Sequence, residues 1–323
     1  MPPYTTTYDI FDAHSHVTGP KGPYTGLMDR LGLSGLVNIS FSDFLPWDKL
    51  ARYEERLLQE TDQFPSRYHF CTSFSIIEYQ EPDYAKRVIA KLAHDFDERG
   101  AIAVKVWKDL GMMLRDSDGA YVFCDHPAFT PIFDYIVSRG KPILMHMADP
   151  IAAWQPLDPE SPHYQYYTKH PEFHWYGKPG RPSHAEILSR RDTVIARYPD
   201  HPFIGAHLGS VEHDVEVLSA YLDAHPNVCV DSSARFGDFI RQPEEKVRAL
   251  FAKHPDRILF GIDWDVDERT FNNDPDEREQ QYGHHCESFG EHFRYFEKTL
   301  ALPPHTLRAF YNDNARRVYR IPD

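Results

Sequence analysis

The sequence predicts a (β/α)8 barrel in a single domain spanning residues 1–323. Three observations carry this. Eight short β-type runs alternate with helical patterns, no segment between them has linker composition, and the three unusually long connections all follow strands. In such a barrel the loops after strands build the C-terminal face, where active sites lie.

The elements follow in order. The first run covers 9–16, and plain alternation places Asp12, His14 and His16 on one face, with Phe11, Ala13 and Ser15 on the other. A second run covers 35–40, and Leu50, Tyr53, Leu57 and Leu58 have helical spacing over 48–62. A strand over 68–74 precedes a helix over 82–99, stopped at Gly100. The strand over 101–107 leads to a helix over 127–139. The strand over 142–147 leads to a helix over 183–198, where Ser183 and Glu186 form a capping-box pattern. Strands over 202–207, 227–231 and 257–263 complete the eight, with helices over 211–224, 243–253, 284–300 and 304–319. The long connections are 108–126, 148–182 and 264–283, after strands four, five and eight.

Composition narrows the partners. A formal charge of −14 disfavours a phosphate backbone or an anionic membrane surface, so the expected partner is a small-molecule substrate, with no nucleic acid and no membrane. Homo-oligomeric assembly is left open. The first residues lack a secretory pattern and no run reaches the ~18 apolar residues of a membrane span, so a cytoplasmic location is expected. Cys71, Cys124, Cys229 and Cys286 form no Cys-x-x-Cys pair and read as reduced thiols. No glycine-rich nucleotide loop follows any strand.

The polar residues at the strand ends point to chemistry. Apolar runs stop at His146, at His207 and at Asp263, and alternation turns the last two into the barrel. In strand four the helix-facing set Ile102, Val104 and Val106 leaves Lys105 inside. With His14 and His16, these side chains converge at one barrel mouth, an arrangement suited to a divalent metal. Trp107 and Trp264, at the ends of strands four and eight, are candidate substrate-binding residues. Arg235, shortly after strand seven, suits a clamp on a substrate carboxylate. Asp12, below the two histidines, is a candidate partner behind them.

The segments Phe11-Asp12-Ala13-His14-Ser15-His16, Ile204-Gly205-Ala206-His207-Leu208-Gly209 and Phe260-Gly261-Ile262-Asp263-Trp264 carry a family resemblance. With Lys105 and His146 they resemble the amidohydrolase superfamily, most closely the amidohydrolase-related branch that contains aminocarboxymuconate semialdehyde decarboxylase. The resemblance covers the chain from Asp9 to about Tyr319. It implies that His14, His16, His146 and Asp263 hold one divalent ion, zinc first and manganese as an alternative, with His207 as a catalytic group. It also implies a two-metal version, in which a carboxylated Lys105 bridges two ions and His146 and His207 bind the second. The implied activity is hydrolysis of an amide, ester or lactone by metal-activated water, with Asp263 taking the proton. Non-oxidative decarboxylation of an aromatic or unsaturated carboxylic acid is the alternative, and a non-catalytic binding barrel comes third.

Overall fold

The computed structural model of the chain describes residues 3–19, 22–41 and 44–322. The strands are β1 (Ile10–Val17), β2 (Leu33–Ile39), β3 (Tyr68–Thr72), β4 (Ala103–Val106), β5 (Ile143–Met145), β6 (Phe203–Gly205), β7 (Val228–Asp231), β8 (Ile258–Leu259) and β9 (Asp265–Val266). They pair in parallel from β8 through β1 to β9. Because β9 continues the chain of β8, its pairing with β1 closes the barrel. The backbone N–H groups of Ala13, Asp263 and His16 donate to the carbonyls of Phe260, His14 and Trp264 at 2.8, 2.6 and 2.6 Å across that seam.

Strands buried on both faces read as nearly continuous apolar runs, and two apolar layers result. Inside the barrel, Val37, Ile39, Cys71, Leu144, Ile204 and Leu259 pack with Tyr319 from the last helix. Outside, a larger layer joins the strands to the helices. Cys71, Cys124, Cys229 and Cys286 are all unpaired thiols, as expected. Among the described residues no helix is long and apolar enough to cross a membrane.

Simple alternation fails in β1. Between Asp12 and Ser15 the register against β2 shifts, three steps on β1 spanning the two from Leu36 to Asn38. That extra residue is a bulge, which reverses side-chain parity. Phe11 and Ala13 therefore join the interior layer, with the two histidines following on the inner side. Asp12 turns outward, where Ser15 Oγ donates to its Oδ2 at 2.6 Å.

Two helices also differ from expectation. Pro23–Leu31 is helical although its short pattern did not announce it. The last long helix begins at Pro275, where Asp274 accepts from the backbone of Asp276 and Glu277, so the connection after β8 is shorter than the sequence suggests. The Ser183 cap is as expected, with Ser183 Oγ accepting from Glu186 N.

Behind β2 and β3 lies a buried polar knot. Glu54 Oε1 accepts from Ser40 Oγ at 2.8 Å and from Lys91 Nζ at 2.8 Å, and Lys91 also reaches Asp95 Oδ2 at 2.6 Å. Glu54 and Asp95 are fully buried. Removing one partner of such a pair strands the other charge in a medium that solvates it poorly. Glu54→Ala is therefore expected to cost roughly 3–5 kcal/mol of unfolding free energy, read by urea denaturation.

Candidate functional site

Each functional side chain sits where a strand ends. His14 and His16 leave β1, Lys105 is within β4, His146 follows β5, His207 follows β6, Asp231 ends β7 and Asp263 lies between β8 and β9. The backbone there is unusual. Ala148, His207, Leu208, Ser210, Ala234 and Asp263 all have φ between +54° and +67°. Non-glycine residues held there cost energy, and such positions gather where structure serves a site.

The geometry suits a cation. His14 Nε2 and His16 Nε2 lie 3.5 and 3.6 Å from the same oxygen, Asp263 Oδ1. Donors about 2.1 Å from a shared tetrahedral zinc are separated by ~3.4 Å, so this spacing matches a coordination edge. His14, His207 and Asp263 each offer a donor atom within 4.8 Å of the others. Both ring nitrogens of His146 are buried without a hydrogen-bond partner, although the ring lies 4.3 Å from that of His207. A buried imidazole without partners is costly unless something else takes its lone pair.

Acceptors behind the rings set the tautomers. His14 Nδ1 donates to Asp231 Oδ2 at 2.9 Å, His16 Nδ1 to the Ile39 carbonyl at 2.8 Å, and His207 Nδ1 to the Ser233 carbonyl at 3.0 Å. Each ring then keeps its lone pair on Nε2, the arrangement metal-binding histidines need. Lys105 Nζ donates to His14 Nε2 at 2.9 Å and lies 4.7 Å from the centre of the Trp107 ring.

Electrostatics point the same way. Burial holds the His146 imidazole well below its ordinary range, helped by His207 and Lys108. Burial does the same to His207 and, aided by the Lys105 charge, lowers His14. Burial also brings the Lys105 ammonium down to about 8. Burial alone would raise the Asp263 carboxyl, but His207, His16 and His14 outweigh it and hold the group below the usual carboxylate range. The result is neutral nitrogen donors beside an ionised carboxylate.

The cluster opens into a cavity of about 320 Å³, lined by Lys108, Asp149, His163, Tyr166, Tyr167 and Arg235 as well as His146, His207 and Asp263. Two expectations fail here. Trp264 does not line this cavity: its ring packs outside the barrel against Tyr24, Phe289 and His285, since it has the opposite parity to Asp263. Asp12 does not back the histidine rings. It accepts from the backbone N–H of His14 at 3.0 Å and of Ile262 at 2.9 Å, tying β1 to the closing segment. Trp107 does belong to the site, its ring 5.5 Å from His16 and 6.1 Å from His146.

The carboxylate behind the cluster is Asp231, which sequence reasoning missed. It is fully buried and accepts from His14 Nδ1, the His207 N–H at 3.0 Å and the Ser233 N–H at 3.1 Å. Its signal was available: Val228-Cys229-Val230 is an apolar run that stops at one ionisable residue, the pattern that singled out His207 and Asp263.

A family model described as amidohydrolase matches residues 74–321. The chain belongs to the amidohydrolase family. Outside the matched segment lie His14 and His16, which the closed barrel brings to the same mouth. No curated protein matches this amidohydrolase significantly. Among solved structures it is similar to 2,6-dihydroxybenzoate decarboxylase in complex with 2,6-dihydroxybenzoate, at 17% identity and TM-score 0.60, covering 98% of this chain and 100% of that one. It is similar to 4-oxalomesaconate hydratase from Rhodopseudomonas palustris, at 16% identity and TM-score 0.56, covering 96% and 95%. It is also similar to dihydroorotase from Campylobacter jejuni, at 11% identity and TM-score 0.54, covering 98% and 84%. Those proteins carry three different reaction names on one barrel, so the likeness establishes the fold and leaves the chemistry to the site.

Proposed function

We propose that this amidohydrolase is a metal-dependent, non-oxidative decarboxylase of a small aromatic or unsaturated carboxylic acid. In this reading His14, His16, His146 and Asp263 hold one divalent ion, zinc or manganese. The observation that carries the substrate class is Arg235. It is buried, its Nε has no hydrogen-bond partner, and among the described residues no carboxylate lies within ion-pair distance of it. A buried guanidinium facing a cavity calls for an anion, and the tyrosines across that cavity suit a ring. The decarboxylase of similar fold is complexed with an aromatic carboxylate, which supports the same choice.

In the reaction the carbon–carbon bond to the carboxylate breaks, its electron pair stays on the ring carbon, carbon dioxide leaves and a proton takes its place. A bound divalent ion supplies Lewis-acid stabilisation of negative charge developing on a substrate oxygen. Asp263, ionised, accepts the proton that a substrate hydroxyl loses on binding. His207 keeps Nε2 as an acceptor beside it, and Arg235 anchors an anionic group of the substrate.

Hydrolysis, the first expectation from the sequence, becomes the second reading. Lys105 favours it, because a buried amine brought down to about 8 and touching His14 suits carboxylation and a two-ion site. Incubation of the metal-loaded enzyme with 2,6-dihydroxybenzoate and related hydroxybenzoates in ¹⁸O-water separates the two. Carbon dioxide release with no solvent oxygen in the organic product supports decarboxylation. Failure on all such acids, with ¹⁸O from the water appearing in the acid products of lactones or amides, selects hydrolysis. Arg235→Ala is expected to raise KM roughly tenfold to a hundredfold, the worth of one charged hydrogen-bonded contact, with a smaller change in kcat.

A further inference from the structure

His163, in the long connection after β5, is held in a second acid–base arrangement at the cavity that the metal cluster opens into. Its Nε2 donates to Asp238 Oδ1 at 3.0 Å, and its ring lines the same cavity as His146, His207 and Asp263. The imidazole does not cap the helix Tyr164–Lys169 that it precedes. No bond to its Nδ1 is present among the described residues, so that nitrogen keeps its lone pair. Asp238 is 8% exposed, and His163 is its only ion-pair partner among the described residues.

The loop and its support are fitted to each other. Asp238 stands in the helix Phe236–Ile240, directly after Arg235. At Gly237 a Cβ would come within 3.0 Å of Pro162 Cβ, so the missing side chain lets the loop settle with His163 over Asp238. Charged or titratable groups around the pair include Glu212, Arg235, Arg241, His213 and Tyr167, and burial raises the Glu212 carboxyl.

We propose that His163, oriented and charge-stabilised by Asp238, is a further catalytic residue that delivers the proton replacing the departing carboxylate. This assignment rests on the decarboxylase reading. His163 enters the step as the imidazolium, its Nδ1 having taken a proton from solvent: the carbon–carbon bond breaks, carbon dioxide leaves, the electron pair left on carbon takes the Nδ1 proton, and His163 returns to the neutral form with its lone pair on Nδ1. Asp238 holds the imidazolium without becoming protonated, as a buried carboxylate behind a catalytic histidine does.

Two measurements on the full-length, metal-loaded protein test this. In the first, the His163 Nε2–H resonance is assigned by its loss in His163→Gln and followed by NMR. Asp238→Asn is expected to move that proton upfield by removing its carboxylate acceptor, and an unchanged resonance overturns the pairing. In the second, with 2,6-dihydroxybenzoate or whichever hydroxybenzoate the wild type decarboxylates, His163→Gln is expected to lower kcat at least ~100-fold. KM and metal content should stay close to wild type. Undiminished kcat overturns the proton-delivery role. If no acid is decarboxylated at all, the decarboxylase reading and the delivery step fall together, while the Nε2–H resonance still decides whether the pair exists.

Discussion

Asp263→Asn is expected to lower turnover by ~10³-fold or more while leaving the thermal midpoint within a few degrees of wild type. The carboxylate does two things that an amide cannot. Its charged Oδ1 faces two imidazole Nε2 atoms at coordination spacing, and in the proposed reaction the carboxylate accepts a proton. The side chain is 28% exposed on its cavity side, so an isosteric amide disturbs little packing. Steady-state kinetics beside a thermal melt give both numbers. Turnover comparable to wild type would remove Asp263 from the chemistry.

Asp231→Asn is expected to act through His14. With the carboxylate present, His14 Nδ1 carries the proton and Nε2 keeps the lone pair. An amide presents a donor as readily as an acceptor, so it lets the imidazole adopt the other tautomer and turn an N–H towards the cluster. Metal affinity should fall about 10- to 100-fold, the usual consequence of losing a partner behind a ligand. The same substitution weakens the bonds that hold the His207 and Ser233 backbone N–H groups, so stability should fall as well. Competition with a chelator of known affinity measures the first effect, and urea denaturation the second.

The fold was legible because a parallel barrel repeats one simple pattern, an apolar run buried on both faces and then an amphipathic helix. The candidate metal donors His146, His207 and Asp263 were legible for a related reason: a single ionisable residue at the end of an apolar strand stands out. What stayed hidden depends on tertiary geometry. The bulge in β1 arises from pairing with β2, and it moved Asp12 to the outer face while its spacing to His14 suggested the inner one. Trp264 is adjacent to Asp263, and adjacency in an extended segment means opposite faces, so proximity in sequence misled. His163 lies in a connection whose course is set by packing against Gly237, an element 74 residues further on. The left-handed backbone at His207 and Asp263 has no glycine to announce it.

Elemental analysis of purified protein, with His146→Ala beside the wild type, tests whether the side chains at the strand ends hold one divalent ion. His146 has two buried ring nitrogens and no protein partner for either. One equivalent of zinc or manganese per chain in the wild type, largely lost in His146→Ala, is the predicted result. A wild type with no bound transition metal and no gain of activity on adding zinc or manganese would contradict the account.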